Sequence, residues 1–156
     1  MLNSHADLAA LADLQAPTLP AAMAGLLQQV FAHLGLQGAA LKTALQEERL
    51  RLSGTEVALA PDADGTVLVA AADLGVHSLN SIAQARLALR ANTLLMLRAG
   101  FGVARGLGGP GSAQLIGRLH LPGLAPREVA GWLASLAGVA RSISDTAAGA
   151  ATAASP

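Results

Sequence analysis

The sequence contains no cysteine, which excludes disulfides and thiolate metal sites and leaves the redox compartment unread. Aromatic residues make up only 2%, although 53% of the chain is hydrophobic. The apolar content is therefore mostly Ala, Leu and Val. Alanine buries little area, so the core must be built from Leu, Val and Ile. Charge is equally sparse, at 13% of residues, with ten basic side chains balanced by ten acidic ones. A chain with no basic surplus has little to offset phosphates, which argues against nucleic acid as a partner. Lys42 is the single lysine. Met1 to Gln15 carries no basic residue, includes Asp7 and Asp13, and has no continuous apolar run. It does not read as a signal peptide. The longest stretch free of charge, Leu14 to Leu41, is broken by Pro17, Pro20, Gly25 and Gly35, so no membrane span is expected. These features point to a cytoplasmic protein.

What is present is one domain's worth of chain, 156 residues, enough for a modest core. Its mean hydropathy is high, at +0.48. With so few charges, apolar patches are expected on the surface, and such patches often mark a partner site.

Residues 1–19 read as an arm or short helix, with Leu8, Leu11 and Leu14 at threefold spacing. A helix follows from Pro20, which suits a first turn; Leu26, Leu27, Val30, Phe31 and Leu34 form one face and Gly35 is the stop. In ERLRLS, Leu50 and Leu52 alternate with Arg49 and Arg51 as in a half-buried strand. Thr55–Ala60 and Thr66–Ala72 flank the turn residues Pro61–Gly65, and the three strands lack a crossover, so an antiparallel meander is expected. A second helix is expected from about Leu79 to Ala99, capped by Ser78 or Asn80. Leu87 and Leu94 lie on one side of it, Ile82, Leu89 and Met96 on another, and only a narrow band with Arg86 and Arg90 is charged. A helix apolar nearly all round needs two packing partners. One side would meet the sheet and the other a second subunit. Phe101–Arg105 and Ala113–Leu121 then read as a two-stranded hairpin, and a final helix carries Val129, Trp132, Leu133, Leu136, Val139 and Ile143 on its apolar face, with Arg141 in its last turn. From Ser144 the composition falls to Ala, Thr, Ser and Gly, which reads as a disordered tail over 144–156. The domain proper spans 20–143. Helix, three strands, helix, two strands, helix is an α+β order and not an alternating βαβ one.

Motifs with chemical potential resolve into turns. Gly106, Gly108 and Gly111 match G-x-G-x-x-G, but a phosphate loop needs a helix directly after it. Here AQLIGRLHL alternates like a strand and Pro110 interrupts the motif. Asp62, Asp64 and Gly65 resemble the start of a calcium loop, but Gly65 and Asp73 stand where the pattern needs other positions or a Glu. His5, His33, His77 and His120 are far apart, Glu47 and Glu48 are adjacent, and no G-x-S-x-G elbow occurs. No catalytic residue, metal site or cofactor is expected, and the chain reads as a binding protein and not as an enzyme.

The order of elements resembles the class I type III secretion chaperones of the Tir-chaperone (CesT-like) family over about Pro20 to Ser142. The resemblance is carried by GLLQQVFAHLGL (Gly25–Leu36), the meander ERLRLSGTEVALAPDADGTVLVAA (Glu48–Ala72), LRANTLLMLRAG (Leu89–Gly100) and RLHLPGLAPREVAGWL (Arg118–Leu133). It implies a bacterial homodimer that uses no nucleotide. Such a dimer holds the N-terminal region of a secreted effector in extended form, keeps it soluble and presents it to the secretion apparatus. This chain is neutral where many members are acidic. An extended client exposes apolar side chains and unpaired backbone, which apolar grooves and a sheet edge can receive. The candidate client-binding residues are Leu27, Phe31, Leu50 and Leu52, with a place in the core as the alternative for each; Leu87, Leu89, Leu94 and Met96 are candidates for the dimer interface. The alternative is a structural or scaffold subunit of a larger bacterial assembly, whose permanent partner covers the apolar surface.

Overall fold

A computed structural model describes residues 21–62, 64–75, 81–106 and 112–153. The chain forms α1 (Ala21–His33), α2 (Gly38–Glu47), β1 (Arg49–Leu52), β2 (Thr55–Pro61), β3 (Val67–Asp73), α3 (Ile82–Ala99), β4 (Phe101–Arg105), β5 (Ala113–His120) and α4 (Pro126–Ala153). The five strands make one antiparallel sheet in the order β1-β2-β3-β5-β4. The expected α+β class, the three-stranded meander and the two-stranded hairpin are all present.

Alternation sets the register. Leu50, Leu52, Val57, Leu59, Leu68, Ala70, Ala72, Leu115 and Phe101 point to one buried face, as period-two patterning requires. Ser53 and Gly54, both at positive φ, join β1 to β2, the backbone a two-residue hairpin turn needs. Between β2 and β3 the Asp62 carboxylate accepts from the N–H groups of Thr66 (2.8 Å) and Val67 (2.9 Å) and from the Thr66 hydroxyl (3.1 Å). The Val67 N–H above all, helped by Thr66, holds the Asp62 carboxyl below its ordinary range. Both oxygens serve the turn, and Gly65 takes the positive φ there.

The buried face of the sheet is covered by α4, against which α1 packs. Val129, Leu133, Leu136, Ala137 and Ala140 recur at helical spacing on the buried side of α4. Trp132 meets Phe101 edge-on, with centroids 5.8 Å apart and an interplanar angle of 65°. Gly117 lies under this pair: a Cβ there would stand 2.7 Å from Trp132 and 2.9 Å from Phe101. At the base of the β4–β5 hairpin, a Cβ on Gly106 would fall 2.9 Å from the Ser112 hydroxyl, and the Gly106 N–H donates to the Ser112 carbonyl at 3.0 Å. That glycine is required by a hairpin. A strand, β5, follows the glycine-rich segment, so the helix that a phosphate loop needs is not there.

Three expectations need correction. The segment before β1 holds a helix, α2, whose Leu41, Ala44 and Leu45 face the core. The second helix is capped by Ser81, which accepts from Gln84 N–H while the Gln84 side chain accepts from Ser81 N–H, a capping box. Ser78 and Asn80 lie outside the described residues, as do the 1–19 arm and residues 154–156. The final helix does not stop at Ile143 but runs to Ala153. Alanine is the best helix former, the Ser144 hydroxyl donates to the Leu74 carbonyl (3.1 Å), and Ala147 is buried. Arg141 is therefore inside the helix; it donates to the Ser53 carbonyl and pairs with Asp145 at 3.7 Å.

Gly117→Ala is expected to destabilise the protein by about 1–3 kcal/mol, the usual cost of overpacking. Urea unfolding followed through Trp132, the only tryptophan, measures it. An unchanged midpoint would show that the ring pair can shift freely.

Candidate functional site

α3 has an unusual relation to the rest of the molecule. It packs against β4, yet none of its residues is buried. The side turned towards the protein carries Gln84, Ala88, Ala91, Asn92 and Leu95, all half-buried. Both sides expected to find partners, Leu87 with Leu94 and Ile82 with Leu89 and Met96, face outwards. Leu87, Leu89, Leu94 and Met96 are 43–67% exposed, and Ile82 and Leu97 are more exposed still. The expectation that one of these sides meets the sheet is therefore corrected. The inward face combines Ala88 and Ala91 with Leu95, which packs against the core, and with Gln84 and Asn92; β4 is the edge strand.

Between α3 and α4 runs an apolar groove of about 550 Å³. Leu87, Ala88 and Ala91 form one wall, Val139 and Ile143 the other, and Val103 lies in the floor. A second cleft of about 480 Å³ lies beside the β1–β2 turn and is polar, with Arg51, Glu56, Asp73, Arg141 and Asp145 around it. Its charges are of both signs, and Arg141 is already engaged with Ser53 and Asp145. Among the described residues no group of three or more His, Asp or Glu is placed to hold a metal ion, and no helix is long and apolar enough to cross a membrane.

The four client-binding candidates lie elsewhere. Leu27, Phe31, Leu50 and Leu52 are only 0–8% exposed and belong to one core cluster. The open groove expected around them is not presented by this protomer. α1 turns Leu27 and Phe31 inwards as it packs on α4, and β1 points Leu50 and Leu52 to the same buried face. The alternation that identified β1 also identifies its leucines as core, since the solvent side already carries Arg49 and Arg51. The groove between α3 and α4 was not anticipated. Its walls come from segments some fifty residues apart, as Ala88 and Val139 illustrate, and no sequence spacing relates them.

No protein-family model matches the sequence, and no curated protein matches it. Solved structures do. The chain aligns with a chain of the ExsC–ExsE complex at TM-score 0.61 and 20% identity, over 78% of this chain and 90% of the other. It aligns with a chain from the structure of the Yersinia pestis type III secretion chaperone SycH in complex with a stable fragment of YscM2, at TM-score 0.55 and 21% identity, over 78% and 98%. The chain shares the fold of these structures. Near-complete coverage of both neighbours means that the likeness extends over the fold and is not a local one. Each of the two structures is a complex with another protein.

The burial pattern separates the two residue sets by stability. Phe31→Ser should cost on the order of 3–5 kcal/mol, as for other buried aromatics cut back to small residues. Leu94→Asp and Met96→Asp should each stay within about 0.5 kcal/mol in the unfolding of the protomer. Circular dichroism of the variants without denaturant distinguishes them, since loss of a partner copy lowers the urea midpoint by itself; loss of the native spectrum at both Leu94 and Met96 would place them in a protomer core.

Proposed function

We propose that this protein is a type III secretion chaperone that acts as a homodimer. In this reading it binds the N-terminal region of an effector in extended form, keeps it soluble and secretion-competent, and presents it to the secretion apparatus. It acts by binding and not by catalysis. The observation that carries the proposal is an apolar helix, α3, left without a protein partner on a fold shared with the chaperone SycH. Ile82, Leu89, Leu94, Met96 and Leu97 on one 18-residue helix form more exposed apolar surface than scattered surface leucines account for. A second copy meeting α3 about a two-fold axis covers it with a self-complementary contact.

The chemistry needed to hold an extended client is limited. The client must bury apolar side chains and pair its backbone without folding. Each well-buried side chain contributes on the order of 2 kcal/mol before ordering costs, which are large for a disordered segment. Several contacts must therefore act together. The groove walled by Leu87, Ala91, Val139 and Ile143 is an open apolar concavity able to supply them, and the client surface is assigned there in place of Leu27, Phe31, Leu50 and Leu52.

Two measurements test the reading. Light scattering at micromolar concentration should give twice the chain mass, and Leu94→Asp or Met96→Asp should return it to one; a monomeric wild type removes the dimer. The N-terminal segment of an effector encoded beside this gene should co-purify in soluble form with the chain and bind it in calorimetry. Ile143→Asp should weaken that affinity by tenfold or so, the loss of about 1.4 kcal/mol, while leaving the fold intact. Wild-type affinity in the variant would exclude the groove. Permanent incorporation of the chain into a large assembly, with no effector bound, would favour the scaffold role instead.

A further inference from the structure

The edge strand β4 ought to be a hazard. A strand at the edge of a sheet offers a row of unpaired N–H and C=O groups to any passing extended chain. In an antiparallel pair, successive residues turn their backbone groups alternately towards the partner and away from it. The Gly106 N–H donates to the Ser112 carbonyl, so Gly102, Ala104 and Gly106 face β5, while Phe101, Val103 and Arg105 face the open edge. Val103 is the centre of that edge, and both of its backbone groups are taken by a side chain from α3. The Asn92 amide nitrogen donates to the Val103 carbonyl at 3.0 Å, and the Val103 N–H donates to the Asn92 carbonyl oxygen.

One carboxamide thus makes the paired contacts that a neighbouring strand would make. Asn is a poor choice for a helix interior on propensity alone, and it interrupts the run LALRANTLLML. Its neighbours leave room for the contact: the position of a Cβ on Gly102 lies 3.6 Å from the Met96 sulfur and 3.9 Å from the Asn92 oxygen. α3 and β4 meet at Gly100, whose N–H donates to the Leu95 carbonyl at positive φ. That turn fixes where α3 ends. A turn alone leaves the helix axis free to swing, and no residue of α3 is fully buried; the large apolar side chain that packs against the core is Leu95, one turn from Gly100.

We propose that Asn92 is a positioning residue that closes the β4 edge against strand addition and, through the same two hydrogen bonds, fixes α3 along that edge. The helix that carries the exposed apolar surface is held by a polar clamp. The inference concerns the chain alone and does not depend on which partner it binds.

The test is site-resolved amide hydrogen exchange on the full chain. In the wild type, Val103 should exchange on the order of tenfold more slowly than Arg105, whose N–H faces the same edge, the factor expected of one added hydrogen bond. Equal rates at the two positions would overturn the proposal whether or not any variant folds. Asn92→Leu keeps the size of the side chain and removes both bonds. It should speed exchange at Val103 while leaving Gly102 and Ala104, which face β5, unchanged. No change at Val103, or an equal rise at all three, overturns it, the latter because β4 would then have loosened as a whole. Freed of its clamp, the edge should also drive concentration-dependent association in light scattering, beyond the wild-type oligomer. Adding Val103→Pro removes the outward N–H and should reverse that association, since proline is tolerated on an edge. Association that persists in the double variant would come from apolar surface and would count against edge closure.

Discussion

The seam between α4 and the sheet is the contact on which the rest of the molecule depends. Val129, Leu133, Leu136, Ala137 and Ala140 are buried there against strands that supply Val57, Leu68 and Leu115. A chain with so few aromatics cannot fill a core with rings, so close approach takes their place. Alanines at 137 and 140 let the helix backbone come down onto the sheet, and Gly117 lets the single Phe101–Trp132 pair fit beneath it. Interiors packed this closely respond to one extra methyl group. α1 then closes the remaining side of α4 with Leu27, Val30 and Phe31. Leu27, Phe31, Leu50 and Leu52 belong to this core, the alternative the sequence left open for them.

Once that face of the sheet is occupied, partner contacts have to come from the periphery. α3 lies at the β4 edge, outside the seam, and combines a small inward face with a wide apolar outward one. The groove beside it exists because α3 packs on β4 and α4 on β5 without the two helices touching closely enough to exclude a third element. Core burial and exposed apolar surface are thus divided between two helices. α4 supplies the core, and α3, held through Gly100 and Asn92, supplies exposed surface that a substitution can alter without unfolding the domain.

The strands were legible because each alternates cleanly. RLRL, TEVALA and the Ala113–His120 segment place apolar residues at every second position, and a one-residue slip would expose them all. The two motifs that resembled ligand loops were legible as turns for the same reason, since a strand follows each. α2 was missed although Leu41, Ala44 and Leu45 have helical spacing, because ten residues between two glycines and a strand also suit a loop. The Ala-rich end of α4 was read as disordered from composition. That reading overlooked that alanine favours helix wherever the preceding turns are already anchored, here by Ser144 to Leu74 and by Ala147. The orientation of α3 was not legible at all. Large apolar residues dominate any reading of a helical wheel, yet the face that packs is the one with Ala88 and Ala91. Nothing in the sequence set Asn92 apart, since Arg90 and Thr93 beside it are also polar, and its partner, Val103, lies beyond the turn.

The energetics of α3 limit what can cover it. A fully buried Leu, Ile or Met side chain returns roughly 1.5–3 kcal/mol, whereas association costs an estimated 4–15 kcal/mol in lost freedom before side-chain ordering. One or two contacts therefore cannot hold a partner on this helix. A short client segment touching only Leu89 and Met96 would not stay bound. A two-fold contact between copies counts every residue twice, so Ile82, Leu89, Leu94, Met96 and Leu97 become ten buried side chains for one association cost. The same arithmetic makes self-pairing of α3 the economical way to cover it. Two such grooves, related by the axis, would lie in one assembly. An extended chain crossing both adds contacts without a second loss of translational freedom, which is how several weak pockets can retain a segment that never folds.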